Sequence, residues 1–482
     1  MNDSLAISPD TTALADNVNL VSFKTNEGVE LRATPLRLLP QSVTFEIYNP
    51  LVAPRVSELL ADFKILAGER PVYSDKATVS SVVSHGPVTI CEVALKGEWL
   101  DENLFVPGDP EKVLPPAFKA LVARWEKFYR IQPEYKLAVA DIQSFFQELR
   151  LWLDQVELGV RALSAIERSQ AERAIVFKLA KLAEPVFANL FERFELVAAK
   201  IPSELVATHG SYCRQQLHPF LMASPFMHRI FAKPLGYAGD YEMVNMILRD
   251  PVEGDSLFAK LLNVFILAAS PAEAHRNRVK YLVKRLTEET SRMMAQRRVC
   301  RIYNLGCGPA GEIQQFIGHH DFSDWASFTL LDADDETLAY TSGLLEKIKR
   351  RNNRRTPVKV VKKSVHNLLR PSGKKIQPAD EFDFIYSAGL FDYLNDRAGR
   401  TVIEIAYEQL APGGLLLITN VEALNPIRNI MEHFYEGYLI YRSGPQLGTL
   451  AAGLPSDAEV NVRADVTSVN IFLEVRKPLS PT

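Results

Sequence analysis

The sequence predicts an α/β protein in three folded parts: a C-terminal, doubly wound seven-stranded sheet, a helical middle region and a small N-terminal β-barrel. Three observations carry this. From Val299 onward, apolar strand-like runs alternate with helical stretches, the βαβ pattern of a parallel sheet. Across residues 117–297, apolar side chains recur at helical spacing. Between Val18 and Leu95, short β-rich runs are separated by turn signals, as in a small barrel.

Length and composition agree. At roughly 150 residues per domain, a chain of 482 residues holds about three domains. Hydrophobic residues make up 47% and charged residues 23%, ordinary for a globular protein. With 55 Lys and Arg against 58 Asp and Glu, the formal charge is −3. That is not the global signature of a nucleic-acid binder. Cys91, Cys213, Cys300 and Cys307 form no C-x-x-C pair, and no His cluster accompanies them. Neither a zinc site nor a disulfide framework is expected, and a reducing compartment fits. Met1 to Ala15 has no basic, apolar leader pattern. The apolar run around Leu261–Ala269 falls short of the ~20 residues a membrane span needs. A cytoplasmic protein is expected.

The elements follow in order. Residues 1–17 read as a disordered tail. The barrel, 18–105, has strands in V-N-L-V-S-F-K, V-E-L-R-A-T-P-L-R-L-L, S-V-T-F-E-I-Y, A-T-V-S-S-V-V and P-V-T-I-C-E-V-A-L. Residues 106–116, V-P-G-D-P-E-K-V-L-P-P, form a linker. In the helical region, 117–297, Phe118, Leu121, Trp125 and Phe128 make one apolar stripe, continued by Phe145, Leu149, Leu153 and Val156. Pro202, Pro219, Pro225 and Pro234 then divide shorter segments, and helix returns over 255–296. The last domain, 298–478, opens on the strand V-C-R-I-Y-N-L. Further strands lie in F-T-L-L-D, V-K-V-V, F-D-F-I-Y-S and G-L-L-L-I-T-N, and a terminal antiparallel hairpin adds to the sheet edge.

The segment N-L-G-C-G-P-A-G-E, Asn304 to Glu312, follows a strand and opens a helix. There Gly306-x-Gly308-x-x-Gly311 has a mechanism: missing β-carbons let the backbone turn sharply and approach a ligand. Asp332 ends the next strand, where a carboxylate can accept both hydroxyls of a ribose. Dinucleotides and S-adenosylmethionine (SAM) both use this geometry. The polar, aromatic turn S-A-G-L-F-D-Y-L after Ser387, the Gly413-Gly414 turn into the fifth strand and the terminal hairpin favour SAM.

On these motifs, residues 298–478 resemble a class I SAM-dependent methyltransferase, a Rossmann-like fold. The resemblance implies cofactor contacts at Asn304, Gly306, Gly308, Gly311 and Asp332, with Ser387 at the end of the fourth strand. The adenine-binding loop maps onto Ser364-Val365-His366, where the usual Asp is missing. Asn304 stands in place of the frequent acid before the first Gly.

Residues 209–248 place His209, His218 and His228 among Met, Phe and Tyr, and include P-L-G-Y-A-G-D-Y-E-M-V-N, which does not read as efficient helix core. The His spacings match no zinc signature, so no metal is expected. With Asn425-Pro426-x-Arg428, Met431-Glu432 and Tyr441-Arg442, the whole layout resembles a bacterial extracellular-factor family, which has a PilZ-like barrel, a helical middle and a C-terminal methyltransferase. That family is associated with biosynthesis of the 3-hydroxypalmitic acid methyl ester signal used in quorum sensing. The resemblance implies O-methylation of a fatty-acid carboxylate to a fatty acid methyl ester. His228, Arg229, Tyr237 and Arg442 are the candidates to hold that carboxylate. The alternatives are a non-catalytic SAM- or nucleotide-responsive regulator and an RNA or protein methyltransferase.

A PilZ domain binds cyclic di-GMP through R-x-x-x-R and D/N-x-S-x-x-G. Here Arg32 and Arg37 are separated by four residues and the second motif is missing. A structural or partner-binding barrel is expected rather than a cyclic di-GMP sensor. From Glu346 to Lys375 twelve Lys or Arg accompany one acid. Such a run is a solvated face or a surface for an acidic partner such as acyl carrier protein. No aromatic interleaving accompanies it, so nucleic acid is the lesser expectation.

Overall fold

The computed structural model describes residues 18–25, 30–47, 53–67, 70–85, 88–97, 99, 115, 118–119, 122–123, 126, 130–364 and 381–479. The expected tail 1–17, residues 106–114 and 116 of the expected linker, Leu121, Trp125, Phe128 and the adenine-loop residues Val365 and His366 lie outside them. The chain forms two compact units. One comprises Met1–Ala238, Gly254–Leu262 and Ile427–Tyr438; the other comprises Gly239–Glu253, Asn263–Pro426 and Leu439–Thr482.

The first unit opens with six antiparallel strands: β1 (Val18–Lys24), β2 (Glu30–Leu39), β3 (Ser42–Ile47), β4 (Leu59–Ala67), β5 (Arg70–His85) and β6 (Val88–Leu95). They close into a barrel in the order β1-β2-β3-β6-β5-β4, with β4 pairing back onto β1. Closure leaves no unpaired sheet edge. Alternation fills the interior: Phe23, Phe45, Phe63 and Tyr73 are fully buried and their rings meet at centroid distances of 5.4–6.2 Å. The sequence reading missed β4. Its alternation is broken by a register shift between Leu60 and Phe63, and Asp62 and Lys64 pair on the outside.

Helices α1 (Pro133–Val160), α2 (Ala165–Ala198), α3 (Val206–Leu221) and α4 (Pro225–Ala232) follow in this unit. The buried face of α1 runs through Tyr135, Val139, Ile142, Phe146, Leu153 and Val160. This is rotated from the expected stripe, since Phe145, Leu149 and Val156 are only half-buried. Pro219 falls inside α3, which ends two residues later at Leu221.

The second unit contains α5 (Tyr241–Leu248) and a seven-stranded sheet. Its strands are β7 (Cys300–Leu305), β8 (Ala326–Asp332), β9 (Val358–Lys362), β10 (Phe382–Ser387), β11 (Leu410–Val421), β12 (Glu459–Ala464) and β13 (Asn470–Arg476). Their order is β12-β13-β11-β10-β7-β8-β9. The five strands from β11 to β9 run parallel, and β13 joins antiparallel to β11, with β12 outermost. This is the doubly wound sheet with an edge hairpin that the sequence predicts. Helix α6 (Leu257–Ala268) leads to α7 (Ser270–Ala295), which precedes the sheet. Around the sheet lie α8 (Gly311–His319), α9 (Asp335–Arg351), α10 (Asp396–Glu408) and, near the C-terminus, α12 (Gly444–Thr449). The remaining helix, α11 (Arg428–Tyr435), belongs to the first unit.

Two apolar layers sandwich the sheet. On one face Leu282 and Leu286 of α7 and Ile313 and Phe316 of α8 pack on Ile302, Phe328 and Phe384. On the other, Val402, Ile403 and Ala406 of α10 pack on Ile385, Leu416 and Ile418. Burying an apolar side chain of this size stabilises the fold by roughly 1.5–3 kcal/mol. Parallel strands covered on both faces place any ligand at their carboxyl ends.

Among the described residues, no single helix is long and apolar enough to cross a membrane; α6 and α7, bent by 59°, pass that test only as a pair.

Candidate functional site

The site of the second unit is built where β7, β8 and β10 end. After Leu305 the backbone turns over the end of β8, and the N–H groups of Gly306 and Cys307 both donate to Leu331 O at 2.9 Å. Gly306 has φ +74° and Gly308 φ +50°, the left-handed region that favours glycine. A β-carbon built on Gly308 meets nothing within 4 Å, so the turn faces open space. Ala310 caps α8 at φ 51°, a strained conformation for a residue with a β-carbon.

Asp332 lies beside this turn. Its Oδ2 accepts from Gly308 N at 3.1 Å and its Oδ1 from Asp334 N at 3.2 Å. The side chain is buried, and desolvation raises its pKa above the usual carboxylate value against those backbone donors. Each carboxylate oxygen has two acceptor sites: at Oδ2 the second faces the weak donor Cys307 Sγ at 4.0 Å, which a ligand's hydroxyl can displace, and Oδ1 keeps one.

A second cluster sits behind the turn. Tyr386 donates its hydroxyl to Glu312 Oε1 at 2.7 Å. Asn304 Nδ2 lies 3.2 Å from the same oxygen and 3.0 Å from the Tyr386 hydroxyl. Burial raises the Glu312 pKa, and the Tyr386 bond opposes that rise. Asn304 Oδ1 is buried and has no hydrogen-bond partner among the described residues. On α7, Arg278 is 6% exposed, and its Nη1 likewise has no such partner. A β-carbon on Gly389, φ +91°, would stand 3.1 Å from that Nη1. Asp392 and Glu312 act on the guanidinium through space; burial raises the Asp392 carboxyl to about 6.

The residues expected from sequence fall into distinct places. Asn304, Gly306, Gly308 and Asp332 are brought together. Gly311 serves packing, because a β-carbon there would meet Leu248 of α5 at 2.8 Å. Ser387 is fully buried and donates to Leu305 O at 2.8 Å, tying β10 to β7. Ser364 is buried just beyond β9. Arg442 does not hold a substrate carboxylate in this arrangement. The residue is 2% exposed, and its guanidinium bonds to Asp396, Asn420 Oδ1, Phe391 O and Leu394 O, which together use its five N–H groups. It is a structural anchor between strand ends. His228 and Arg229 lie on α4 of the first unit, His228 exposed and Arg229 half-buried. Tyr237, half-buried, belongs to the same unit.

The stretch P-L-G-Y-A-G-D-Y-E-M-V-N is more ordered than its composition suggests. Asp240 caps α5 by accepting from Met243 N at 2.8 Å, so helix begins at Tyr241. A β-carbon on Gly239 would lie 2.6 Å from the Tyr393 hydroxyl, which keeps this turn close to the site.

Sequence reasoning missed Glu312, Tyr386, Asp392 and Arg278 as site residues. A signal for Arg278 exists: it interrupts the apolar stripe Ala274, Val279, Leu282 and Leu286 on α7. Among the described residues, no group of three or more His, Cys, Asp or Glu is placed to hold a metal ion.

A ligand with a vicinal diol at one end and an amino-acid group at the other fits these donors and acceptors. The diol suits Asp332, an ammonium suits the orphan Asn304 Oδ1 beside Glu312, and the glycine turn allows close approach.

No protein-family model and no curated protein sequence matches the chain significantly. Among solved structures, a possible exported protein from Bordetella parapertussis is similar at 16% identity and TM-score 0.41, covering 66% of this chain and 100% of its own. The N-methyltransferase NodS from Bradyrhizobium japonicum, in complex with S-adenosyl-L-homocysteine, is similar at 16% identity and TM-score 0.31, covering 49% and 98%. An O-methyltransferase family protein from Burkholderia thailandensis is similar at 14% identity and TM-score 0.33, covering 58% and 75%. At these identities and TM-scores the likeness transfers no residue role, ligand or activity to this chain.

Proposed function

We propose that the chain is a SAM-dependent methyltransferase that O-methylates the carboxylate of a 3-hydroxy fatty acid or a similar small acid. The observation that carries the first half is the pairing of Asp332 with the open glycine turn at Gly308, 3.1 Å apart, at the carboxyl ends of parallel strands. The acceptor rests on the whole-chain resemblance alone.

When bound, SAM supplies a sulfonium-activated methyl group for in-line displacement. The chain's residues bind and orient. Asp332 accepts from the ribose hydroxyls, and Asn304 Oδ1 with Glu312 receives the ammonium group. Three buried carboxylates, Asp332, Glu312 and Asp392, suit a ligand that carries a sulfonium charge. A carboxylate acceptor is already nucleophilic near neutral pH, so no general base is required. Alignment and exclusion of water are what the site must supply. His228, Arg229 and Tyr237 remain candidates to contact the acceptor.

Two further roles belong to this proposal. The barrel is read as PilZ-like and structural or partner-binding, with Arg32 and Arg37 both exposed on β2. Acyl carrier protein is the proposed partner of the basic run, where Lys347, Arg350, Arg351 and Lys359 are exposed.

The test is incubation of purified protein with methyl-labelled SAM and 3-hydroxypalmitate, followed by mass spectrometry. Labelled methyl ester is expected. Bound SAM without ester, across a series of 3-hydroxy acids, favours the non-catalytic regulator. Label in RNA or protein instead favours the macromolecular methyltransferase.

A further inference from the structure

We propose that Arg278 is the carboxylate receptor of the glycine-turn site, a role that rests on the methyl-donor reading above. The residue is 6% exposed, and its Nη1 has no hydrogen-bond partner among the described residues. A buried guanidinium N–H left without an acceptor is unfavourable, so a fold that keeps one gains when an acceptor, best an anion, joins it. Neither nearby carboxylate hydrogen-bonds to Nη1, and one oxygen of each is already engaged. Asp392 Oδ1 accepts from Asn420 Nδ2 at 3.0 Å and Val421 N at 2.7 Å. Glu312 Oε1 accepts from Tyr386 and Asn304.

The surroundings are shaped for a ligand. Gly389, at φ +91°, immediately follows the Ser387-Ala388 end of β10, and a β-carbon there would press on Nη1 at 3.1 Å. Glycine thus lets the guanidinium lie close against the turn that follows β10. The planar fork of arginine matches a carboxylate by two parallel N–H···O bonds, a geometry lysine lacks. The complement is close at hand: Glu312, which acts on Arg278, also binds Asn304, whose Oδ1 is an orphan acceptor. One unpaired donor and one unpaired acceptor around a shared acid suit an α-amino-acid zwitterion. Two carboxylates can therefore reach Arg278: that of the methionine part of SAM, or that of the acyl acceptor.

The experiment uses the full chain and two variants, Arg278→Met and Arg278→Lys. Each is titrated calorimetrically with S-adenosylhomocysteine, with decarboxylated SAM and with 3-hydroxypalmitate, and melted without ligand. The ligand-free melt of Arg278→Met shows whether the variant folds, since the guanidinium also faces Asp392 and Glu312 through space. If the donor's carboxylate is the ligand, this variant loses roughly 10- to 100-fold in affinity for S-adenosylhomocysteine, while decarboxylated SAM binds as it does to wild type. If the acceptor's carboxylate is the ligand, S-adenosylhomocysteine is unaffected and 3-hydroxypalmitate weakens by the same factor. Arg278→Lys, which keeps the charge, should lose less in either case and serves if the Met variant does not fold. Unchanged affinity for both ligands overturns the proposal, as does a lowered ligand-free melting temperature with unchanged affinities, the mark of a structural arginine. A wild-type chain that binds no S-adenosylhomocysteine removes the donor reading itself, and this proposal with it.

Discussion

Glu312 shows how a single residue can be set against the stability of the ligand-free chain. It is 6% exposed, and burial raises its carboxyl above the usual 4.5. A carboxyl whose folded pKa is raised costs stability as pH climbs through 4.5 toward that folded value, and the cost is complete above it. Glu312→Gln keeps an acceptor for Tyr386 and removes the charge. The variant should therefore melt higher than wild type at neutral pH without ligand, with the gap closing below pH 4.5, while binding S-adenosylhomocysteine more weakly. Thermal melts across pH with a parallel titration check both halves; a lower neutral melting temperature contradicts them. At this scale, Gly306, Gly308 and Asp332 were legible because a turn with φ values of +74° and +50° demands glycine and the acid ends the neighbouring strand. Glu312, Tyr386 and Arg278 were not, because their roles depend on which side chains the sheet brings together. Arg442 is, by sequence, one of four candidates to hold the acceptor's carboxylate, and only its five hydrogen-bonded N–H groups reveal an anchor.

Among elements, the chain after α11 holds a cluster of buried charge. Glu436, in a left-handed conformation at φ 54°, accepts from Thr78 Oγ1 of β5 at 2.8 Å and pairs with Lys96 at 2.5 Å and Arg214 of α3 at 3.2 Å. Lys233, just past α4, donates to Glu436 O at 2.9 Å. Barrel and helices of this unit are thus joined through one carboxylate. Burial alone would raise that carboxyl, but Arg214, Lys96 and Lys233 outweigh it and hold it at about 2, while burial brings the Lys233 ammonium down to about 7. A depressed carboxyl contributes stability that is present above 4.5 and lost as pH falls toward 2. The depressed lysine gives the opposite end of the curve: stability rises between pH 7 and 10.5, because only the unfolded chain stays protonated there. Glu436→Gln leaves buried cations without their counter-charge and should cost about 3–5 kcal/mol. Denaturant unfolding at pH 7, compared with pH 3, reads the carboxyl's contribution; equal loss of stability at the two pH values contradicts the assignment. None of this joint was visible in the sequence, since its members come from strand, helix and loop far apart in the chain. The missed strand β4 has a similar reason: its register shift hides the alternation that revealed the other five.

For the molecule as a whole, strand order is the informative feature. The parallel strands and edge hairpin were legible because βαβ alternation and right-handed crossovers leave few topologies. The acceptor is a different matter, because substrate choice resides in side chains that no strand pattern encodes. In the proposed function, the turn at Gly306–Gly308, with Asp332 beside it, holds the adenosyl group of a methyl donor. Calorimetric titration of the full chain with S-adenosylhomocysteine, wild type against Asp332→Ala, tests it most directly. One molecule bound per wild-type chain and a loss of roughly 10- to 100-fold in affinity for the variant are expected. No binding to the wild type, or the same affinity in both, would contradict it.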